Sequence, residues 1–283
     1  MTTMTANPTM AVGRSSRAAQ HVTFPHVVTS EWIKFRSVRS TAWTLPITAV
    51  LMVGLAVLQA WGTTQLEPAE LFTTSAASIV TGGWFLAQLA VSVLGILAIT
   101  GEYGTGMIRS TFAAVPRRLP ALWAKALILA VTVAVVSLVA VALSYVAALP
   151  FLDQLGLELD LGSAGDLRLL LGAPLYLATI AVFAFAIGSL VRHSAGSLAI
   201  VLGLLLVVEN VFAAIPLRFF EVVAPFLPMG AGSRLLYDDA TLEMLDAAAT
   251  GATLTPWQGY GVLVAWVVVL LTAGAVLLRR RDA

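Results

Sequence analysis

"ALWAKALILAVTVAVVSLVAVALSYVAAL", residues 121–149, carries a single charged side chain, Lys125. A helix crossing a hydrocarbon layer of about 30 Å needs roughly 20 mostly apolar residues. This stretch therefore predicts a membrane span long enough to tilt or to project beyond the bilayer. Working outward, residues 42–61 and 79–100 before it, and 169–190, 197–215 and 258–278 after it, meet the same requirement. The expected fold is an all-α integral membrane protein with six transmembrane helices. Composition agrees: of 283 residues 59% are hydrophobic and 11% are charged, against roughly a quarter charged in soluble domains. Mean hydropathy is +0.92.

The chain has no cysteine, which excludes disulfides, thiolate metal sites and cysteine nucleophiles and leaves the redox compartment open. A net charge of +1, without basic clusters interleaved with aromatics, gives no footprint for nucleic acid. Direction follows from the cations, because loops rich in Lys and Arg stay on the cytoplasmic side. With the amino end inside, thirteen of the sixteen basic residues fall on inner segments, and only Arg168, Arg218 and Arg234 fall on outer ones. The outer segments collect acids such as Asp153, Glu158, Asp166, Asp238, Asp239 and Asp246. Both termini are thus expected in the cytoplasm. Arginine far outnumbers lysine, which fits a GC-rich bacterial coding bias and a bacterial plasma membrane. No signal-peptide core precedes residue 40, so the amino end is expected to be retained. Trp43, Trp61, Trp84, Trp123 and Trp257 fall near span ends, as an interfacial aromatic belt would place them.

The expected organisation is a disordered cytoplasmic tail over residues 1–26, an amphipathic helix over 27–40 and the six-span domain over 41–283. In the amphipathic segment Val28, Trp32, Phe35 and Val38 keep helical spacing, while Glu31 and Arg39 intrude on the apolar arc. Either it lies in the inner interface with its basic residues near lipid phosphates, or it simply extends the first span. Between the second and third spans lies "GEYGTGMIRSTFAAVPRR", residues 101–118. From Thr105 the residues Met107, Ile108, Thr111, Phe112 and Val115 recur on one helical face, with Arg109 turned away and Pro116 as a stop. A helix of about ten residues is marginal alone in water. It needs a partner, or else the arginines only set topology.

The run Glu102, Tyr103, Gly106, Ile108, Arg109, Pro116 and Arg117 resembles the loop between the second and third spans of type-2 ATP-binding-cassette exporter permeases. That loop tends to read E-Y-x-x-G-T-I-R before a Pro-Arg turn, and Met107 stands here where threonine is common. The resemblance extends from about Val27 through six spans, an outer "FLPMGAGSRLL" and a basic tail. It implies an N-terminal interfacial elbow helix, a cytoplasmic coupling helix and an extracellular re-entrant segment between spans five and six. It also implies two cassette ATPase subunits that bind ATP and Mg, and a second permease subunit, most simply a homodimer. The residues implied in ATPase coupling are Glu102, Tyr103, Met107, Ile108, Arg109 and Phe112.

The outer segment between spans five and six is apolar at first but broken by Pro216, Pro225 and Pro228, so it either dips back into the outer leaflet or is a solvated loop. Its second half reads as a helix, with Asp238, Asp239 and Glu243 at the start and Gly251 as a left-handed cap beyond the end. Glu209 and Asn210 fall within the fifth span. A carboxylate there costs a few kcal/mol and must face protein or water with a partner. Arg218 is the nearest candidate cation, and Glu209, Asn210, Pro225 and Pro228 are candidates for a pathway or gate. Ala184, Gly188, Gly196 and Gly203 are small residues suited to close helix packing.

No G-x-x-x-x-G-K-[ST] run occurs, so the chain has no phosphate-cradling loop. Neither the three histidines nor "HSAGS" makes a metal or serine-protease constellation. The expectation is a permease subunit without an enzyme site or cofactor of its own, working in ATP-driven efflux of a hydrophobic or amphiphilic drug, antibiotic, peptide or lipid. The alternatives are a proton-coupled secondary transporter using Glu209 and a non-transporting membrane scaffold.

Overall fold

The structure, a computed structural model, describes residues 23–66, 75–105, 118–215, 217–249 and 251–280. No strand occurs among the described residues. Among the described residues six helices are long and apolar enough to cross a membrane: Arg39–Thr63, Ala76–Gly104, Leu119–Leu155, Ala164–Val191, Ser194–Phe212 and Pro256–Arg279. This is the architecture of a multi-pass membrane protein. The disordered tail expected over 1–26 lies outside the described residues up to residue 22, and its last residues are helical instead. The first helix, α1, covers Phe24–Ser37, with Pro25 in its first turn, where a missing N–H costs nothing.

After a one-residue break at Val38, α2 (Arg39–Thr63) makes the first span. The second consists of α3 (Ala76–Thr81), capped by the Ser75 hydroxyl, and α4 (Trp84–Thr105). The turn between them needs glycine, because a Cβ on Gly83 would overlap the Met52 backbone of α2. The third span, α5 (Arg118–Leu155), has 38 residues. That is about 57 Å of helix, well beyond the hydrocarbon layer. It ends in a Schellman motif: Leu157 N–H reaches Leu152 O, Gly156 N–H reaches Asp153 O, and Gly156 takes φ +64°.

The fourth span, α6 (Ala164–Val191), is capped by the Ser163 hydroxyl and ends on Arg192 in the left-handed conformation. His193 then caps α7 (Ser194–Leu202), so two residues reverse the chain. A π-helical turn, Gly203–Val208, comes next, before α8 (Glu209–Ala214) completes the fifth span. Short helices α9 (Arg218–Val223), α10 (Pro228–Ser233) and α11 (Asp239–Ala248) lead to α12 (Pro256–Arg280), the sixth.

The bundle is built around α6, whose most apolar stretch is 83% buried, against 22% for the first and fifth spans. Close packing is set by small residues, since a Cβ on Gly95 of α4 would overlap the Ala181 carbonyl of α6. Gly188 likewise lies against Ile99 and Thr100, as expected for a packing residue, and Ala184 is fully buried. Gly203 departs from that expectation, with nothing near its Cβ position; it opens the π turn instead. The core also holds a satisfied polar group. The Tyr176 hydroxyl donates to Gln88 Oε1 at 2.7 Å, and Gln88 Nε2 donates to Met229 Sδ at 3.4 Å, joining α6, α4 and α10.

Two expectations are corrected. Trp84 is not a belt residue: it is buried, with its ring edge-on to Tyr176 and Tyr237, whereas Trp43, Trp61, Trp123 and Trp257 are exposed. Gly251 is not a left-handed cap. Helix α11 begins on the Asp238 carboxylate, as its acidic start suggested, but ends on Ala249 in extended backbone. Gly251 does not take positive φ, and a Cβ there would meet the Glu221 carbonyl, so close approach of backbone is what calls for glycine.

Candidate functional site

Charged side chains converge at one end of the bundle where α1 crosses the ends of α4 and α5. Lys125 Nζ donates to Glu31 Oε2 at 2.5 Å and to Glu102 Oε1 at 2.6 Å. Lys34 donates to Glu31 Oε1 at 2.8 Å and stands 4.0 Å from Glu102. The side chains of Glu31, Glu102 and Lys125 are 3%, 10% and 10% exposed, so this is a largely desolvated cluster. Beside it Val27 packs on Ala121 and Ala124, which holds α1 against α5. A cavity of about 220 Å³ opens next to the ions, walled by Phe35, Leu97 and Ile128.

Of the residues implied in coupling, Glu102 is turned inward onto Lys125. Tyr103 comes next at the end of α4, with the Arg192 guanidinium 5.2 Å from its ring centroid, a cation–π contact that ties the α6–α7 turn to the same end. Met107, Ile108, Arg109 and Phe112 lie outside the described residues. The inner role of Glu31 and Lys125 was missed, because Glu31 read as a flaw in an amphipathic face and Lys125 as a topology signal. A signal was present. Lys125 is the lone charge in its apolar run, and a charge there calls for a partner. On the segments that the charge bias predicts to be inner, Glu31, Glu102 and Asp282 are the acidic residues.

At the opposite end three sets of polar contacts tie down the segment from α10 to α11. The Arg168 guanidinium of α6 donates to the Tyr237 carbonyl at 2.8 Å and pairs with Asp239 at 2.8 Å. Arg234 donates to the Leu254 carbonyl at 2.5 Å and pairs with Asp246 at 2.6 Å. From the fifth span, Glu209 accepts from the backbone N–H groups of Met229 at 2.7 Å and Gly230 at 2.5 Å. The expected Glu209–Arg218 pair is not formed: Arg218 is exposed, and the amides at the start of α10 take its place. The π turn just before Glu209 carries one residue more than a regular turn, which rotates the rest of the span by about 100°. Glu209 is thereby 5% exposed, while its neighbour Asn210 is exposed and bonds back to Leu206.

Glu209, Asn210 and Pro225 line one cavity of about 630 Å³, and Pro228 is buried at the start of α10 beside the amides. The four candidate gate residues are therefore brought to one place. Arg168, Arg234 and Glu221 complete that end; the two arginines stood out in the sequence only as outer cations, since the carbonyl partners of Arg168, 66 and 67 residues away, leave no local trace.

Comparison with family models finds no match for the chain, and comparison with curated proteins finds none either.

Proposed function

We propose that this chain is the membrane-spanning permease of an ATP-driven exporter in the bacterial plasma membrane. In this reading it works as a homodimer with two cassette ATPase subunits, which bind ATP and Mg. The observation that carries the reading is the ion cluster. Glu102 and Lys125 flank the segment around Met107 to Phe112, and both hold the charges of α1 through Glu31 and Lys34. A push on that segment from the cytoplasm is thus delivered to α1, α4 and α5 together. In this reading α1 is the elbow helix, residues 102–115 contain the coupling helix, and α9 to α10 are the re-entrant segment that closes the outer end. ATP biases the pathway between inward and outward access because the docked segment makes different contacts in the two states.

Both termini lie in the cytoplasm by this reading, since the cluster end also carries Arg36, Arg39 and Arg279, while the Glu209 end carries Glu158, Asp166, Asp238 and Glu243. Glu102 acts by positioning, and Arg109 with Phe112 by contact. The test is co-purification with a cassette ATPase and stimulation of its hydrolysis. Glu102→Ala with Arg109→Ala is expected to abolish both, and a stable complex after both replacements would end the assignment. Transport by this chain alone, driven by a proton gradient and lost in Glu209→Gln, would instead favour the secondary-transporter reading.

A further inference from the structure

We infer that the cavity beside Glu209 and Glu221 binds an organic cation with an aromatic or apolar body. The inference deepens the export reading, and rests on it only for the role of the bound molecule as cargo. The space, about 630 Å³, falls within the roughly 300–1,000 Å³ typical of small-molecule sites. Its walls combine Phe212, Tyr237, Met229 and Leu245 with two acidic residues, Glu209 and Glu221. That mixture suits an apolar body carrying one charge, since aromatic faces and carboxylates both attract a cation.

The sign of the ligand is set by which charges are already balanced. Arg234, the cation on the cavity wall, is spent on Asp246 and the Leu254 carbonyl. Glu209 is held by two neutral amides and has no cationic partner among the described residues. Glu221, on α9, has no ion-pair partner among them either. Arg218, one turn earlier on the same helix, is exposed and is not part of the wall. Among the described residues, two acidic residues, Glu209 and Glu221, thus line a mixed polar and apolar space with no free cation, and an anionic guest would meet them without compensation. Glu209 is fixed by the amides at the start of α10, and α9 packs Phe220 edge-on against Phe212 of α8 with ring centroids 4.6 Å apart, so the site is formed before the ligand arrives.

Tetraphenylphosphonium and tetraphenylborate, equal in shape and opposite in charge, separate charge recognition from greasiness. Binding of each to the purified full chain in detergent is measured by equilibrium dialysis against empty micelles. Saturable binding of the phosphonium and none of the borate is expected. Glu221→Gln removes a unit charge at about 10 Å across an effective dielectric of about 20, enough to weaken phosphonium binding about tenfold. The Glu221 carboxylate has no hydrogen bond to lose among the described residues, so this variant tests the site without testing the fold. Glu209→Gln, checked for its melting temperature, is expected to weaken binding as well. Equal binding of the two ions, or unchanged affinity in Glu221→Gln, overturns the inference. A chain that binds no phosphonium yet still co-purifies with an ATPase loses the site alone, whereas one that binds phosphonium but recruits no ATPase loses the export reading alone.

Discussion

Replacing Lys125 by Met keeps most of the side chain's volume and removes the charge that two buried carboxylates share. At contact distances of 2.5 and 2.6 Å and an effective dielectric of about 20, each pair is worth roughly 6 kcal/mol of Coulomb energy before desolvation is counted. Desolvation of the three groups offsets much of this, and removing one partner from such a cluster typically costs about 3–5 kcal/mol. Glu102 bears most of the loss. Glu31 keeps Lys34 at 2.8 Å, but Lys34 is 4.0 Å from Glu102, and Glu102 Oε2 is buried with no hydrogen bond among the described residues. The expected result is a melting temperature in detergent lower by on the order of 10 °C. The triple variant Glu31→Gln, Glu102→Gln, Lys125→Met should recover most of it, because a buried ion cluster replaced as a whole by neutral groups is often no less stable. A Lys125→Met protein that melts like its parent would refute the reasoning. A triple variant as unstable as the single one would show that packing, and not charge, set the cost.

Gly95→Ala forces a Cβ against the Ala181 carbonyl and should destabilise the chain by about 1–3 kcal/mol. Gly54→Ala, on α2 with nothing near its Cβ position, should instead raise the melting temperature slightly, by the equivalent of about 0.4–1 kcal/mol; the opposite order in paired thermal melts would contradict the packing of α4 on α6. Because the chain has no cysteine, single-cysteine labelling needs no prior removal of native thiols. A membrane-impermeant maleimide is expected to label Glu158→Cys on intact cells and Arg36→Cys only after permeabilisation, and the reverse pattern would invert the proposed orientation.

Range along the chain separates what was legible in the sequence from what was not. All six spans were legible, with ends displaced by up to six residues, as were the unusual length of α5 and the helix opening at Asp238. The segregation of cations from acids along the chain was legible too. The illegible part was which charge meets which. Glu31 read as a blemish on an apolar arc until Lys125, 94 residues away, was placed against it. Glu209 was assigned a partner nine residues on, in Arg218, and found its donors twenty and twenty-one residues on, in two backbone amides. Trp84, indistinguishable by position from four exposed tryptophans, was drawn into the core by Tyr176 and Tyr237.

From its sequence alone this protein is determined to be a chain of six apolar helical spans with a charge bias between its ends. Each span is decided by a property of consecutive residues: enough apolar length, with every backbone hydrogen bond satisfied within the segment. The tertiary structure alone decided the ion cluster, the tethered outer segment and the cavity between Glu209 and Glu221. Those depend on how far each helix is rotated and slid against its neighbours, and the π turn at Gly203–Val208 alone moves every later side chain of the fifth span to another face.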